Sequence, residues 1–224
     1  MANPFSKLFD FKKIGLFKKD TSVLGIDIGS SSIKVIQLKK RKGKAILETY
    51  GELALGPYAE LSIGQATNLP AEKLSEAIKD LFKEANVTTT QGAISIPLKS
   101  SLLRIMEVPK MGEKQLQQVV PIEARKYIPV PISEVALDWW AIPDQELSGS
   151  QDDVTQDLKD NEAKKKMSKK LEVLLVAIHN STIKKYNSIV SKIGLVAGPF
   201  EVETFSAIRS VLGRDIAPTV ILDI

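Results

Sequence analysis

Val23-Leu-Gly-Ile-Asp-Ile-Gly-Ser-Ser-Ser-Ile-Lys-Val-Ile-Gln-Leu38 decides how this chain is read. An apolar strand ends near Asp27 and passes through Gly29 to Ser30, Ser31 and Ser32, which is the composition a phosphate site on a tight β-turn requires. A carboxylate at a strand end can hold a hydrated cation. Gly29 has no Cβ, so the backbone there can turn sharply and approach a ligand closely. The serines offer hydroxyls and backbone N–H groups to phosphate oxygens. Ile33 to Leu38 then carries the chain away as the next strand. Neither Gly-x-x-x-x-Gly-Lys nor Gly-x-Gly-x-x-Gly occurs, so the segment is neither a P-loop nor a dinucleotide fingerprint. The same residues also suit a buried hairpin with a serine-rich turn. Val220-Ile-Leu-Asp-Ile224 begins to repeat the pattern and favours the phosphate reading. It suggests duplicated halves, each presenting an acidic strand end, here Asp27 and Asp223, to a shared cleft.

The composition is that of a soluble globular protein, with 43% hydrophobic and 26% charged residues in 224. There is no cysteine, which removes thiolate nucleophiles and cysteine-based metal sites. No run approaches the ~18 apolar residues that a membrane-spanning helix needs. The first residues lack the continuous apolar stretch of a secretory signal, so a cytoplasmic location is expected. Lys7, Lys12, Lys13, Lys18 and Lys19 against Asp10 account for the whole net charge of +4. The remaining chain is neutral, which argues against a nucleic-acid partner, since that needs a clustered basic face.

Residues 1–20 form a leader in which Phe5, Leu8 and Phe9 have helical spacing among lysines. Such a segment can lie on an anionic membrane, pack on its own domain, or stay loose. Residues 23–54 read as three strands, with a hairpin signal at Lys40–Lys44. Pro70 opens a helix whose face carries Leu74, Ile78, Leu81, Phe82 and Ala85. Strands follow at Ala93–Ile96 and Leu102–Val108. The order βββαβ predicts a mixed sheet, not a regular βαβ repeat.

Leu116, Val119, Val120, Ala124 and Tyr127 have helical spacing, with a bend expected at Pro121. Tyr127-Ile-Pro-Val-Pro-Ile132 reads as a rigid connector, Val135–Ile142 as a strand, and the polar stretch 144–170 as a disordered loop. Leu171–Ile178 is a buried strand. The next helix places Ile183, Tyr186, Val190 and Ile193 on one face, with Ser181 as cap and Gly194 as stop. Leu195–Phe200 is a strand, and Glu201–Leu212 a helix with Phe205, Ile208 and Leu212 inward. Thr219–Ile224 is the final strand.

Leu24-Gly-Ile-Asp-Ile-Gly-Ser-Ser-Ser-Ile-Lys-Val35 resembles the first phosphate motif of the actin-like ATPase superfamily. Ile122-Glu-Ala-Arg-Lys-Tyr-Ile-Pro-Val-Pro-Ile132, followed by Val135-Ala-Leu-Asp138, resembles the PilM family of type IV pilus assembly proteins within it. Leu174–Ala177, Gly194–Ala197 and Glu203 match further segments, and the resemblance covers about residues 21–224. It implies an α/β fold: an actin-like (ribonuclease H-like) lobe with a mixed sheet and an inserted small α+β domain of SHS2 type. The implied divisions are a leader 1–20, a first lobe 21–110, an inserted subdomain 111–199, and a connecting helix with the start of a second lobe at 200–224.

The resemblance implies ATP and Mg²⁺ as cofactors. Asp27 and Asp223 would serve the metal, while Gly29, Ser30, Ser31, Ser32 and Lys34 would serve the phosphates. Glu203 would position the attacking water as the catalytic residue. Nucleotide binding is expected rather than efficient hydrolysis, and because the second phosphate turn is missing, residues 1–224 are expected to be part of a longer product and inactive alone. The implied partner is the cytoplasmic N-terminal tail of PilN in the pilus inner-membrane complex, with the protein peripheral to that membrane through its partner. Tyr127, Ile128, Val130 and Ile132 would line the partner groove, although the same apolar side chains could simply bind two units together. A division-type FtsA-like tether and a sugar or acetate kinase of the same superfamily are the alternatives. His179, the lone histidine, reads as a surface or capping residue. Of Trp139 and Trp140, strand alternation sends one inward and one outward. Asp138 is a candidate partner for Arg125 or for a sheet neighbour, with no chemistry assigned.

Overall fold

The computed structural model describes residues 21–142, 170–211 and 220–221. In chain order the elements are β1 (Ser22–Ile28), β2 (Ser32–Arg41), β3 (Lys44–Ala54), α1 (Ala71–Glu84), β4 (Gln91–Ile96) and β5 (Ser101–Pro109). They continue with α2 (Glu113–Ala124), β6 (Val135–Ala141), β7 (Lys170–His179), α3 (Asn180–Ile193), β8 (Val196–Val202) and α4 (Glu203–Val211). The leader, the stretch 143–169, Leu212 and Asp223 lie outside the described residues.

The larger unit comprises residues up to Ser101 and from His179 onward. Its five-stranded sheet has the order β3-β2-β1-β4-β8. β1, β2 and β3 run as an antiparallel meander, whereas β4 and β8 run parallel to β1 and β4 respectively. The meander exists because Lys42 and Gly43 both adopt positive φ, the backbone of a primed hairpin turn whose twist matches the flanking strands. Alternation then buries Leu24, Ile26, Ile28, Ile33, Val35, Ile94 and Ile96. α1 covers this apolar set with Leu74, Ala77, Ile78 and Leu81, and packs beside α3. Tyr186 of α3 meets Phe200 of β8 edge-on at 6.0 Å. Gly194 ends α3 at φ +69°, where a side chain would be strained.

The smaller unit is Leu102–Ile178, a three-stranded sheet of order β5-β7-β6 with α2. Met106, Val108, Leu116, Val120, Ala124, Trp139, Val173 and Leu175 form its core. Trp139 is 8% exposed and Trp140 51%, as strand alternation requires.

The structure differs from the sequence expectation at particular places. The unit boundaries fall at 101/102 and 178/179, not 110/111 and 199/200, because β5 joins the second sheet while α3 packs on α1 and β8 pairs with β4. α2 runs through Pro121 and ends at Ala124, so Tyr127 lies in the following turn. Pro121, inside α2, removes the donor that would reach the Gln117 carbonyl. The cap of α3 is at His179, with Ser181 already inside the helix. Glu201 belongs to β8, and α4 buries none of its residues.

Candidate functional site

The turn after β1 is pinned by its carbonyls. The Gly29 N–H donates to the Ser32 carbonyl at 3.0 Å. The Ser31 carbonyl accepts from the Leu55 N–H at 2.8 Å, and the Ser30 carbonyl from the Thr67 N–H at 2.7 Å and its hydroxyl at 3.0 Å. With the carbonyls held toward the protein, the Ser30 and Ser31 N–H groups make no backbone bond among the described residues. Consecutive backbone donors so arranged form a concavity suited to an anion. A Cβ on Gly29 would stand 2.9 Å from the Ser32 carbonyl oxygen, so the turn requires glycine for space.

Register places the charged side chains in a row across the sheet. Asp27 pairs with Lys34 on β2 and with Ser95 on β4, and Ser95 pairs with Glu201 on β8. The Ser95 hydroxyl donates to Asp27 Oδ1 at 2.5 Å, fixing that carboxylate. Glu201 forms an ion pair with Arg209 of α4, and burial lifts its carboxyl above the usual range despite that cation. Glu203 opens α4 and accepts from the Leu98 N–H at 2.8 Å, which ties the helix start to the end of β4. Lys34, Asp27, Ser95, Glu201, Glu203 and Ser206 face a groove of about 400 Å³. The Tyr186 hydroxyl is raised well above its ordinary value, chiefly by burial and then by the charges of Asp27 and Glu203.

These groups suit Mg²⁺ shared with a phosphate. That ion typically takes one or two protein carboxylates, keeps several waters and binds phosphate oxygens. Among the described residues no three His, Cys, Asp or Glu gather into a metal cage. Asp27 and Glu203 would supply the protein oxygens, and the Ser30–Ser31 donors the phosphate contacts. When bound, Mg²⁺ supplies charge neutralisation at the phosphates.

The expected site residues therefore separate. Asp27, Lys34 and Glu203 face one groove, and Gly29, Ser30, Ser31 and Ser32 form the turn above the end of β1. Asp223 lies outside the described residues. Ile128 is corrected: at 7% exposure it belongs to the core of the smaller unit, and Val130 and Ile132 pack against that core. Tyr127 is the exposed member, with the Arg104 guanidinium 5.5 Å above its ring. The Tyr127–Ile132 segment lies within the smaller unit rather than joining two units. Among the described residues Asp138 does not pair with Arg125; its Oδ1 accepts from the Trp139 N–H, while Oδ2 has no partner there. Ser95 and Glu201 were not anticipated. Alternation in Ala93-Ile-Ser-Ile96 was the available signal, since inward isoleucines turn Ser95 to the Asp27 face.

The mixed sheet defines an actin-like α/β lobe. The model of the family described as type IV pilus assembly protein PilM matches residues 25–217, and the chain belongs to that family. A chain of the solved PilM-PilN type IV pilus biogenesis complex is 26% identical with TM-score 0.61, covering 84% of this chain and 49% of that one. The present chain thus spans about half the length of that relative. The cytoplasmic domain of EpsL, an inner membrane component of the type II secretion system of Vibrio cholerae, is 11% identical with TM-score 0.48, over 81% of this chain and 57% of that one. A Bacteroides thetaiotaomicron protein with an actin-like ATPase fold gives 14% and 0.35, over 89% and 60%. No helix among the described residues is long and apolar enough to cross a membrane.

Proposed function

We propose that these residues form the phosphate-binding lobe of an ATP-binding, actin-like scaffold in the type IV pilus inner-membrane platform. The observation that carries the nucleotide reading is the pinned turn, whose Ser30 and Ser31 carbonyls are occupied while their N–H groups make no backbone bond among the described residues, next to the fixed Asp27 carboxylate. In this reading Ser30, Ser31 and Ser32 hold phosphate oxygens, Lys34 adds positive charge, and Asp27 with Glu203 orients hydrated Mg²⁺. Glu203 would also orient a water in this reading, and its bond to the Leu98 N–H favours that positioning role over proton abstraction. Calorimetry with Mg-ATP, using the wild type and Asp27→Ala in the full-length protein, tests this. Binding that ignores both Mg²⁺ and Asp27 would overturn it.

The partner in this reading is the cytoplasmic N-terminal tail of PilN, and attachment to the inner membrane is peripheral, through that partner. Support comes from family membership and from the likeness to a chain of the PilM-PilN complex. Tyr127 is the residue of the expected groove that a peptide can still reach, since Ile128 is committed to the core. A fluorescent PilN tail peptide should bind the full-length protein, and Tyr127→Ala should weaken it without unfolding. Unchanged affinity in that variant would place the tail elsewhere.

A further inference from the structure

A second chamber, of about 340 Å³, borders the turn at Ile28–Ser30 but is lined by neither Asp27 nor Glu203. Lys99 and Lys185 both line it, and among the described residues no carboxylate does. Among the described residues neither lysine forms an ion pair. Lys185 is half-buried and its Nζ donates to the Leu69 carbonyl at 2.8 Å, which holds the ammonium at the wall. Burial first, and the charge of Lys99 second, keep Lys185 below the usual lysine range. Like charges gathered in a concave place without a counter-ion are unfavourable until an anion joins them.

The remaining walls agree with that chemistry. Ser100 and Thr182 add hydroxyls, and Thr182 lies in the first turn of α3. That turn has no acidic residue, and His179 at its cap makes no side-chain cap bond, so the first turn itself brings no negative charge to the positive end of the helix. Leu74 and Tyr186 add apolar surface, which gives the chamber more room than a bare anion needs.

We propose that this chamber is an oxyanion site that takes phosphate or a phosphate monoester between Lys99 and Lys185. The ammonium groups make charge-assisted hydrogen bonds to the phosphate oxygens, the hydroxyls complete them, and an ester's apolar body lies against Leu74 and Tyr186. No covalent step is involved, and no divalent cation is needed.

The test is calorimetric titration of residues 1–224 with inorganic phosphate and with phenyl phosphate, in the presence of EDTA and with phenol as the control. Saturable binding is expected in the wild type and in Asp27→Ala, with affinity reduced about tenfold or more in Lys99→Gln, where a charge-assisted bond is lost. Lys99 is exposed, so its replacement leaves the packing intact; Lys185→Gln should lose binding too, but also disturbs the Leu69 contact. Tighter binding of phenyl phosphate identifies a monoester, and equal binding the free anion. Absence of saturable binding by both probes, equal affinity in Lys99→Gln, or loss in Asp27→Ala would overturn the assignment. None of these outcomes bears on Mg-dependent nucleotide binding.

Discussion

Asp138 is 3% exposed, and burial lifts its carboxyl from 3.8 to about 6, opposed by the single bond from the Trp139 N–H. The folded chain therefore binds this proton more tightly than the unfolded chain. The sign follows: stability from this group is fully present below about pH 4 and lost as pH rises to about 6. The loss amounts to roughly 2–3 kcal/mol by linkage. Urea unfolding at pH 4.5 and 7.5 checks it, because Asp138→Asn should reduce the difference between the two pH values. An identical difference in the variant would contradict the assignment. At the turn, Gly29→Val drives a side chain against the Ser32 carbonyl, which lies 2.9 Å from the Cβ position. That variant should lose phosphate binding by the turn while keeping its circular dichroism spectrum.

Between elements, Gln37 is a clamp that the sequence did not announce. It is 2% exposed on β2, and its Nε2 donates to Glu48 and to the Thr88 hydroxyl, each at 2.8 Å. Its Oε1 accepts from the Thr88 N–H at 2.9 Å, joining the meander to the approach of β4. Gln37→Ala should cost about 2–3 kcal/mol because buried donors and acceptors lose their partners. The check is a lower urea midpoint with an unchanged slope. Alternation puts Gln37 on the buried face with Ile33 and Val35, but the partners that make a buried amide tolerable there, Glu48 and Thr88, appear only in the fold. Strands and helices with a strong local period were legible: β1 to β4, α1, β7 and α3 lie close to where alternation and helical spacing put them. Tyr127 and Ile128 were not, because a helical period cannot tell the last turn of a helix from the bend after it. Ile128 looked available for a ligand because a Pro-flanked run gives no sign of which core its side chains enter. Lys99 and Lys185 stand far apart in sequence, and only the fold brings them to one chamber.

For the whole molecule, the strand-turn-strand of the Val23–Leu38 stretch and the mixed character of the sheet were legible. Family membership agrees with the resemblance carried by Ile122–Ile132 and Val135–Asp138. The unit boundaries were misplaced because β5 follows β4 directly and reads as the next strand of the same sheet, whereas it pairs in the other one. The central claim is that the pinned turn and Asp27 bind a Mg-nucleotide. The most direct measurement is calorimetric titration of Mg-ATP into the full-length protein carrying these residues, comparing wild type, Asp27→Ala and Gly29→Val, with and without EDTA. The expected result is saturable, Mg-dependent binding in the wild type, absent in Gly29→Val and no longer Mg-dependent in Asp27→Ala. Equal, Mg-independent binding by all of them, or no binding by the wild type, would contradict the claim.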